Sequence, residues 1–309
     1  MMKNEGKAGD IDTAAPAEAM RKLYDSYFAS HDYQRRYPCP NPTTLKFLLK
    51  QAQADGARSV LDVGCGDGRY SIALLDKTTA QVTGCDISSA ALSEFAIRIK
   101  GSPAAHRVRL VHGPVETLKI DQTHLPYDLG LLLFGVLSHA GDRLARVNML
   151  TALKDLIKPD GRLVLTVPSI WRRRPIEMLL GLWQKMGSTK PPGTEFGDMT
   201  FSRVIDGHKQ TFFYHLYSMA GLRAELDMAG WVIETSQAES LMPEWLVTQH
   251  RWIARIDSLV CPLLPSALGY GICVMARPKP NADMKSSSAK NVSEASKVSE
   301  ASKASDAKI

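Results

Sequence analysis

Residues 60–75 read VLDVGCGDGRYSIALL: a β-rich apolar run, then Gly64-Cys65-Gly66-Asp67-Gly68, then the pattern of an amphipathic helix. Glycine tolerates left-handed backbone and lets a ligand approach the main chain, and a helix N-terminus presents free N–H groups to it. The next β-rich run, QVTGCD, ends in Asp86, 22 residues beyond Gly64. A carboxylate at the end of the second strand of such a unit reaches both hydroxyls of a ribose. Loop and acid together predict a nucleoside bound across the C-terminal edge of a parallel sheet. The spacing is GxGxG rather than the GxGxxG of dinucleotide binders, and Asp62 stands two residues before the first glycine.

Outward from this loop, short β-rich runs alternate with helical patterns, which is how a parallel sheet covered on both faces by helices reads in sequence. SVLDV, QVTGCD, RVRLV, YDLGLLLF and GRLVLTV supply five strands, WVIETS a sixth and GYGICVMAR a seventh. Val147, Leu150, Leu153 and Ile157 recur at helical spacing, and Lys158-Pro159-Asp160-Gly161 then turns the chain into its next strand. Residues 169–212 and 241–268 are too long for ordinary connections and are expected to carry specificity.

The glycine loop with Asp62 and Asp86 resembles the first motif of the class I S-adenosylmethionine-dependent methyltransferases, and the likeness extends over about residues 59–277. The resemblance implies an α/β, Rossmann-like seven-stranded sheet, mostly parallel, with helices on both faces and an antiparallel last strand. It implies S-adenosylmethionine as cofactor, with Gly64, Cys65, Gly66 and Gly68 along its methionine part and Asp62 near its amino group. Asp86, followed by Ile87, would take the ribose, Val115 would meet the adenine with its backbone, and Phe134 and Gly135 would contact the methionine moiety. In the stretch GPVETL, Pro114 stands where the family often has an acid near the adenine, and Glu116 is the substitute at hand. His139, His208 and His215 are the candidate bases for an acceptor that arrives protonated. No metal-ligand cluster is visible.

The expected organisation is a flexible N-terminus at 1–20, an N-terminal helical cap at 21–58, and a methyltransferase domain at 59–279 carrying the two insertions. A disordered tail at 280–309 contains VSEASK twice. The 44% hydrophobic content excludes disorder throughout, and 38 Lys and Arg against 32 Asp and Glu, formally +6, permit an anionic partner without demanding one. Five cysteines without a CxxC pair read as reduced thiols, and the first 20 residues lack the apolar core of a signal peptide, so a cytoplasmic location is expected. The uncharged run at 258–276 is broken by Pro262, Pro265, Gly269 and Gly271 and reads as a loop feeding a buried strand.

Three acceptor classes follow. The first is a small molecule or metabolite held by the N-terminal helix and the 169–215 region, with His208, Lys209, Tyr214 and His215 as lining. The second is tRNA, since YDSYFASHDYQRRYPCPNPTTLKFL and VLSHAGDRL are distantly similar to the tRNA wobble-uridine carboxymethyl methyltransferases. That subgroup has paired histidines where this chain has Ser138-His139, and it would want Arg172–Arg174, Arg35, Arg36, Arg107 and Arg109 to converge. The third is a lipid or quinone, reached by peripheral membrane contact through residues 170–186, where three arginines adjoin an apolar stripe. A cofactor-binding module without turnover is the fourth reading.

Overall fold

The computed structural model describes residues 15–120, 126–173, 195–205 and 207–280. Helices α1 (Ala15–Ala29), α2 (Asp32–Arg36) and α3 (Pro42–Ala54) precede β1 (Ser59–Val63), which leads through α4 (Arg69–Lys77) to β2 (Gln81–Asp86). Then come α5 (Ser89–Ile99), β3 (Val108–His112), β4 (Tyr127–Leu132), α6 (Arg143–Leu156) and β5 (Ile157–Pro168). The chain continues through α7 (Ile170–Arg173), β6 (Asp198–Ile205), β7 (His208–His215), α8 (Met219–Met228) and β8 (Trp231–Ser240). Helices α9 (Glu244–Gln249) and α10 (Arg251–Val260) lead to β9 (Gly271–Pro278).

Seven strands form one sheet in the order β3-β2-β1-β4-β5-β9-β8, and β6 pairs with β7 in a separate hairpin. Pairing is parallel from β3 to β5 and antiparallel on both sides of β9, so β8 again runs with the first five strands. The strand order reverses between β1 and β4, where the two chains leave the sheet in opposite directions and open a crevice. Central strands read as continuous apolar runs because both faces are covered: Leu129, Leu131, Leu132, Leu163, Val164 and Leu165 are all fully buried. On one face Trp231 sits in this core, and its indole N–H donates to the Leu150 carbonyl at 2.9 Å, so the ring is buried without stranding its donor.

Helix starts are fixed by side chains that accept otherwise free N–H groups. Asn41, Ser88, Asp142 and Ser218 each do so, at α3, α5, α6 and α8. Strand β5 begins at Ile157, earlier than its pattern suggests, because Tyr127 pairs with Ile157 and Leu129 with Arg162. Pro159 to Gly161 therefore bulge within the strand instead of preceding it. The described chain opens with a helix from Ala15, inside the stretch 1–20 expected to be flexible. The first insertion extends beyond residue 212, because its hairpin closes only at His215. The repeat tail lies outside the described residues, as does all of 170–186 beyond Arg173. Among the described residues no helix is long and apolar enough to cross a membrane.

Candidate active site

The crevice between β1 and β4 is a pocket of about 970 Å³, counted to its open mouth, floored by the glycine loop and roofed by α1. The loop is stitched to β2 by the N–H groups of Gly64 and Cys65, which donate to the Cys85 carbonyl at 2.7 and 3.2 Å. Gly68, at φ +77°, caps the start of α4, and a Cβ there would lie 2.4 Å from the Phe95 ring, so only glycine fits. Asp86 closes the other side. Its carboxylate accepts the N–H groups of Gly66 and Ser88, both at 2.8 Å. Burial nevertheless pushes its pKa up to about 6. Asp62, below the loop, accepts the Ser71 hydroxyl at 2.6 Å, and burial raises it to about 7.

The roof is tied to the turn after β2. Asp25 of α1 accepts the Ser88 hydroxyl at 2.8 Å and the Ala90 N–H at 3.3 Å, so the helix is pinned at the start of α5. Met20, Tyr24 and Phe28 then face the pocket. Tyr27 turns away, stacking edge-on with Tyr33 and Phe212 and accepting Arg203 at 2.6 Å.

Of the residues singled out from sequence, Asp62, Gly64, Cys65, Gly66, Asp86, Ile87, Val115, Phe134 and His139 all line this one pocket. Gly68 and Gly135 shape it from outside the lining. Gly135, at φ +73°, lets the Tyr214 hydroxyl approach the strand-four turn, since a Cβ would meet it at 2.7 Å. Pro114 lines the pocket, whereas Glu116 is exposed and outside it, so the substitute acid is not where the adenine reading wanted it. His139 presents Nδ1 to the Phe213 carbonyl at 2.8 Å, which makes that nitrogen the donor and leaves Nε2 as acceptor. Its burial lowers the pKa to about 4, so the ring is neutral at physiological pH.

The other two histidines are corrected by the structure. His208 is exposed, paired with Ile205 at the closed end of the hairpin, and Lys209 beside it is exposed too. His215 is buried outside the pocket and holds Asp198 at 2.6 Å, with burial lowering its pKa. Together with Glu195 and Glu225 it forms the metal-sized cluster found among the described residues. That cluster already has a cation, because the Arg146 guanidinium donates to Glu225 at 2.7 Å and to Glu195 at 2.8 Å. Arg107 and Arg109 do not join the other described arginines in one stripe. Arg107 is consumed in holding the carbonyls of Leu75, Thr78 and Ala80, and Arg109 lies on β3, the sheet edge opposite β8, near whose end Arg172 reaches Leu241.

Sequence reasoning missed Arg69. It is the first residue of α4, lines the pocket and is buried, with Nη1 donating to Glu244 at 3.1 Å and to the Cys39 carbonyl at 3.3 Å. Among the described residues its Nε and Nη2 have no partner, a costly state unless a ligand supplies an acceptor. The guanidinium stacks at 4.4 Å from the Phe134 ring centre. Phe134 itself adopts φ +59°, strained for a bulky residue, and is held there by its N–H donating to the Thr166 hydroxyl at 2.7 Å. Adjacency to Gly68 was the one available signal for Arg69.

Known proteins resemble this chain in sequence and in fold. Residues 60–161 match the model of a family described as a methyltransferase domain. The ubiquinone biosynthesis O-methyltransferase of Bordetella avium is 33% identical over 121 residues, 39% of this chain and 47% of that protein. The tRNA U34 carboxymethyltransferase of Idiomarina loihiensis is 35% identical over 112 residues, 35% of this chain and 32% of that protein. This chain thus spans half or less of the curated relatives it matches. A solved 1,6-didemethyltoxoflavin-N1-methyltransferase of Burkholderia thailandensis, with 1,6-didemethyltoxoflavin and S-adenosylhomocysteine bound, superposes with a TM-score of 0.56. That match covers 89% of this chain and 94% of that one at 18% identity, a likeness of fold.

Proposed function

We propose that this chain, a member of the class I S-adenosylmethionine-dependent methyltransferase superfamily, transfers the methyl group of S-adenosylmethionine to a small-molecule acceptor. The observation that carries the reading is the roofed pocket at the β1–β4 switch point, where the glycine loop, the Asp86 carboxylate and the partnerless nitrogens of Arg69 meet. Its residues fit the cofactor chemically. Asp86 is placed to accept the ribose hydroxyls, and Val115 offers backbone beside Pro114 for the adenine. The free Nε and Nη2 of Arg69 suit the carboxylate of the methionine part, for which a planar guanidinium is the natural partner. Asp62, part-protonated when the pocket is empty, becomes a full carboxylate beside a cationic amino group.

When bound, the cofactor supplies a methyl group already made electrophilic by its sulfonium. The chain's own work is then alignment and exclusion of water. Met20, Tyr24 and Phe28 close the pocket from above, and aromatic faces near a sulfonium stabilise its charge. His139, held neutral with Nε2 as acceptor, orients a hydroxyl or amine by accepting its hydrogen. Its low pKa makes it a weak base, so the departing proton is best passed onward to water. The α1 roof over the crevice suits a small acceptor.

The test is accumulation of S-adenosylhomocysteine when the chain is fed S-adenosylmethionine with fractionated small metabolites or with bulk tRNA. Turnover with metabolites, lost in Asp86→Asn, is expected. Turnover with tRNA alone would overturn the acceptor class. Cofactor binding without turnover in any pool would leave a binding module.

A further inference from the structure

The connection from β8 to β9 bears an apolar face that no described part of the fold covers. In α10, Trp252, Ile256 and Leu259 recur at the spacing of one helix face and are 65%, 54% and 73% exposed, with Leu263 beyond them at 83%. An amphipathic helix in a globular domain normally turns such a stripe inward. Here the inward face is Ala254 and Asp257, and Asp257 is satisfied within the protein by the Thr43 hydroxyl at 3.1 Å and the Leu241 N–H at 2.7 Å.

Within this connection the exposed charges have one sign. Residues 241–268 contain two carboxylates, Glu244 and Asp257, and both are buried, whereas Arg251 and Arg255 are exposed. Arg36 extends the cationic rim, its guanidinium 6.0 Å from the ring of the half-exposed Trp245. Tryptophan and aliphatic side chains between arginines match the boundary of an anionic bilayer, with rings and alkyl groups among the acyl chains and guanidiniums on the phosphates. Orientation agrees. Because β8 runs parallel to β1 and β4, this connection leaves the same sheet edge as the pocket, and Glu244 at its start is the partner of pocket-lining Arg69.

We infer that the chain docks on anionic membrane surfaces through the exposed face of α10 and Leu263, turning the edge that carries the pocket toward the lipid. This goes beyond the methyl-transfer reading and is measured without cofactor or acceptor. Two other occupants compete: a second copy of the chain, and residues 174–194, which follow α7, where Arg172 lies 3.4 Å from the Leu241 carbonyl.

The experiment is co-sedimentation of the full chain with vesicles of phosphatidylcholine and phosphatidylglycerol in equal parts, against phosphatidylcholine alone. Two variants accompany it, Leu259→Glu with Leu263→Glu, and Arg251→Glu with Arg255→Glu. Both pairs are exposed, and unchanged unfolding midpoints certify that the variants fold. The wild type should partition onto anionic vesicles, and the leucine pair should weaken this by at least about tenfold. The arginine pair should weaken it by roughly 30-fold or more and abolish the dependence on lipid charge. Wild type that stays in the supernatant overturns the inference. In that event a dimer that the leucine pair dissociates assigns the face to a second copy. Vesicle binding unaffected by either variant overturns it as well.

Discussion

Replacing Asp86 by asparagine separates what this residue costs the fold from what it gives the ligand. Burial raises the Asp86 pKa from 3.8 to about 6, so the folded protein holds a proton there that the unfolded chain has released. Stability linked to this group is therefore present below about pH 4 and lost as pH rises to about 6, some 3 kcal/mol in all at 1.36 kcal/mol per unit. Asparagine has no charge to desolvate. Against that relief, the Gly66 and Ser88 N–H groups both use carboxylate oxygens at 2.8 Å, and an amide has one oxygen to offer. The stranded donor costs about 1–3 kcal/mol. The two effects oppose, so the unfolding free energy at neutral pH should stay within about 2 kcal/mol of wild type. Affinity has no such compensation. Losing the charge-assisted bonds to the ribose removes about 2–3 kcal/mol, or 30- to 150-fold in Kd for S-adenosylhomocysteine. Urea denaturation and calorimetric titration read the two quantities separately. A folded variant that binds S-adenosylhomocysteine within threefold of wild type would refute the role given to Asp86.

Other outcomes follow from the same structure. Gly68→Ala, with left-handed backbone and a Cβ 2.4 Å from Phe95, should destabilise by about 2–4 kcal/mol. Gly101→Ala, at φ +80° with nothing within 4 Å, should cost only about 1–2 kcal/mol by urea denaturation, and equal losses would contradict the packing argument. Arg146→Met leaves Glu225 buried without its guanidinium and should cost about 3–5 kcal/mol, part of it recovered by adding Glu225→Gln. His139, lowered from 6.5 to about 4, contributes stability that is present above pH 6.5 and lost as pH falls toward 4. The acid arm of the stability–pH curve should therefore flatten by about 3 kcal/mol in His139→Gln.

The seven strands and the meeting of the glycine loop with Asp86 were legible because their signals are local. A strand, a glycine turn and a helix announce themselves within 16 residues, and Asp86 ends the next strand. Partners brought together by the fold were not legible. His215 looked like a pocket base, but the hairpin register sets it opposite Asp198, and strand alternation gives its neighbour Tyr214 the other face, where Tyr214 meets His139. Arg69 owes its place in the pocket to Glu244, 175 positions away. Glu239 is similar. Burial and Glu244 push its pKa up to about 8, and its Oε1 has no partner, a property no stretch of sequence around it displays. The exposed face of α10 was hidden for another reason: its hydrophobic spacing is that of a core helix, and only the fold reveals which side faces out.

The central claim is that the β1–β4 pocket holds S-adenosylmethionine. Calorimetric titration of the wild-type chain with S-adenosylmethionine, using NAD as the control, tests it most directly. One saturable site for S-adenosylmethionine and no heat of binding with NAD are expected. Binding of NAD in place of S-adenosylmethionine by the folded protein would contradict the claim.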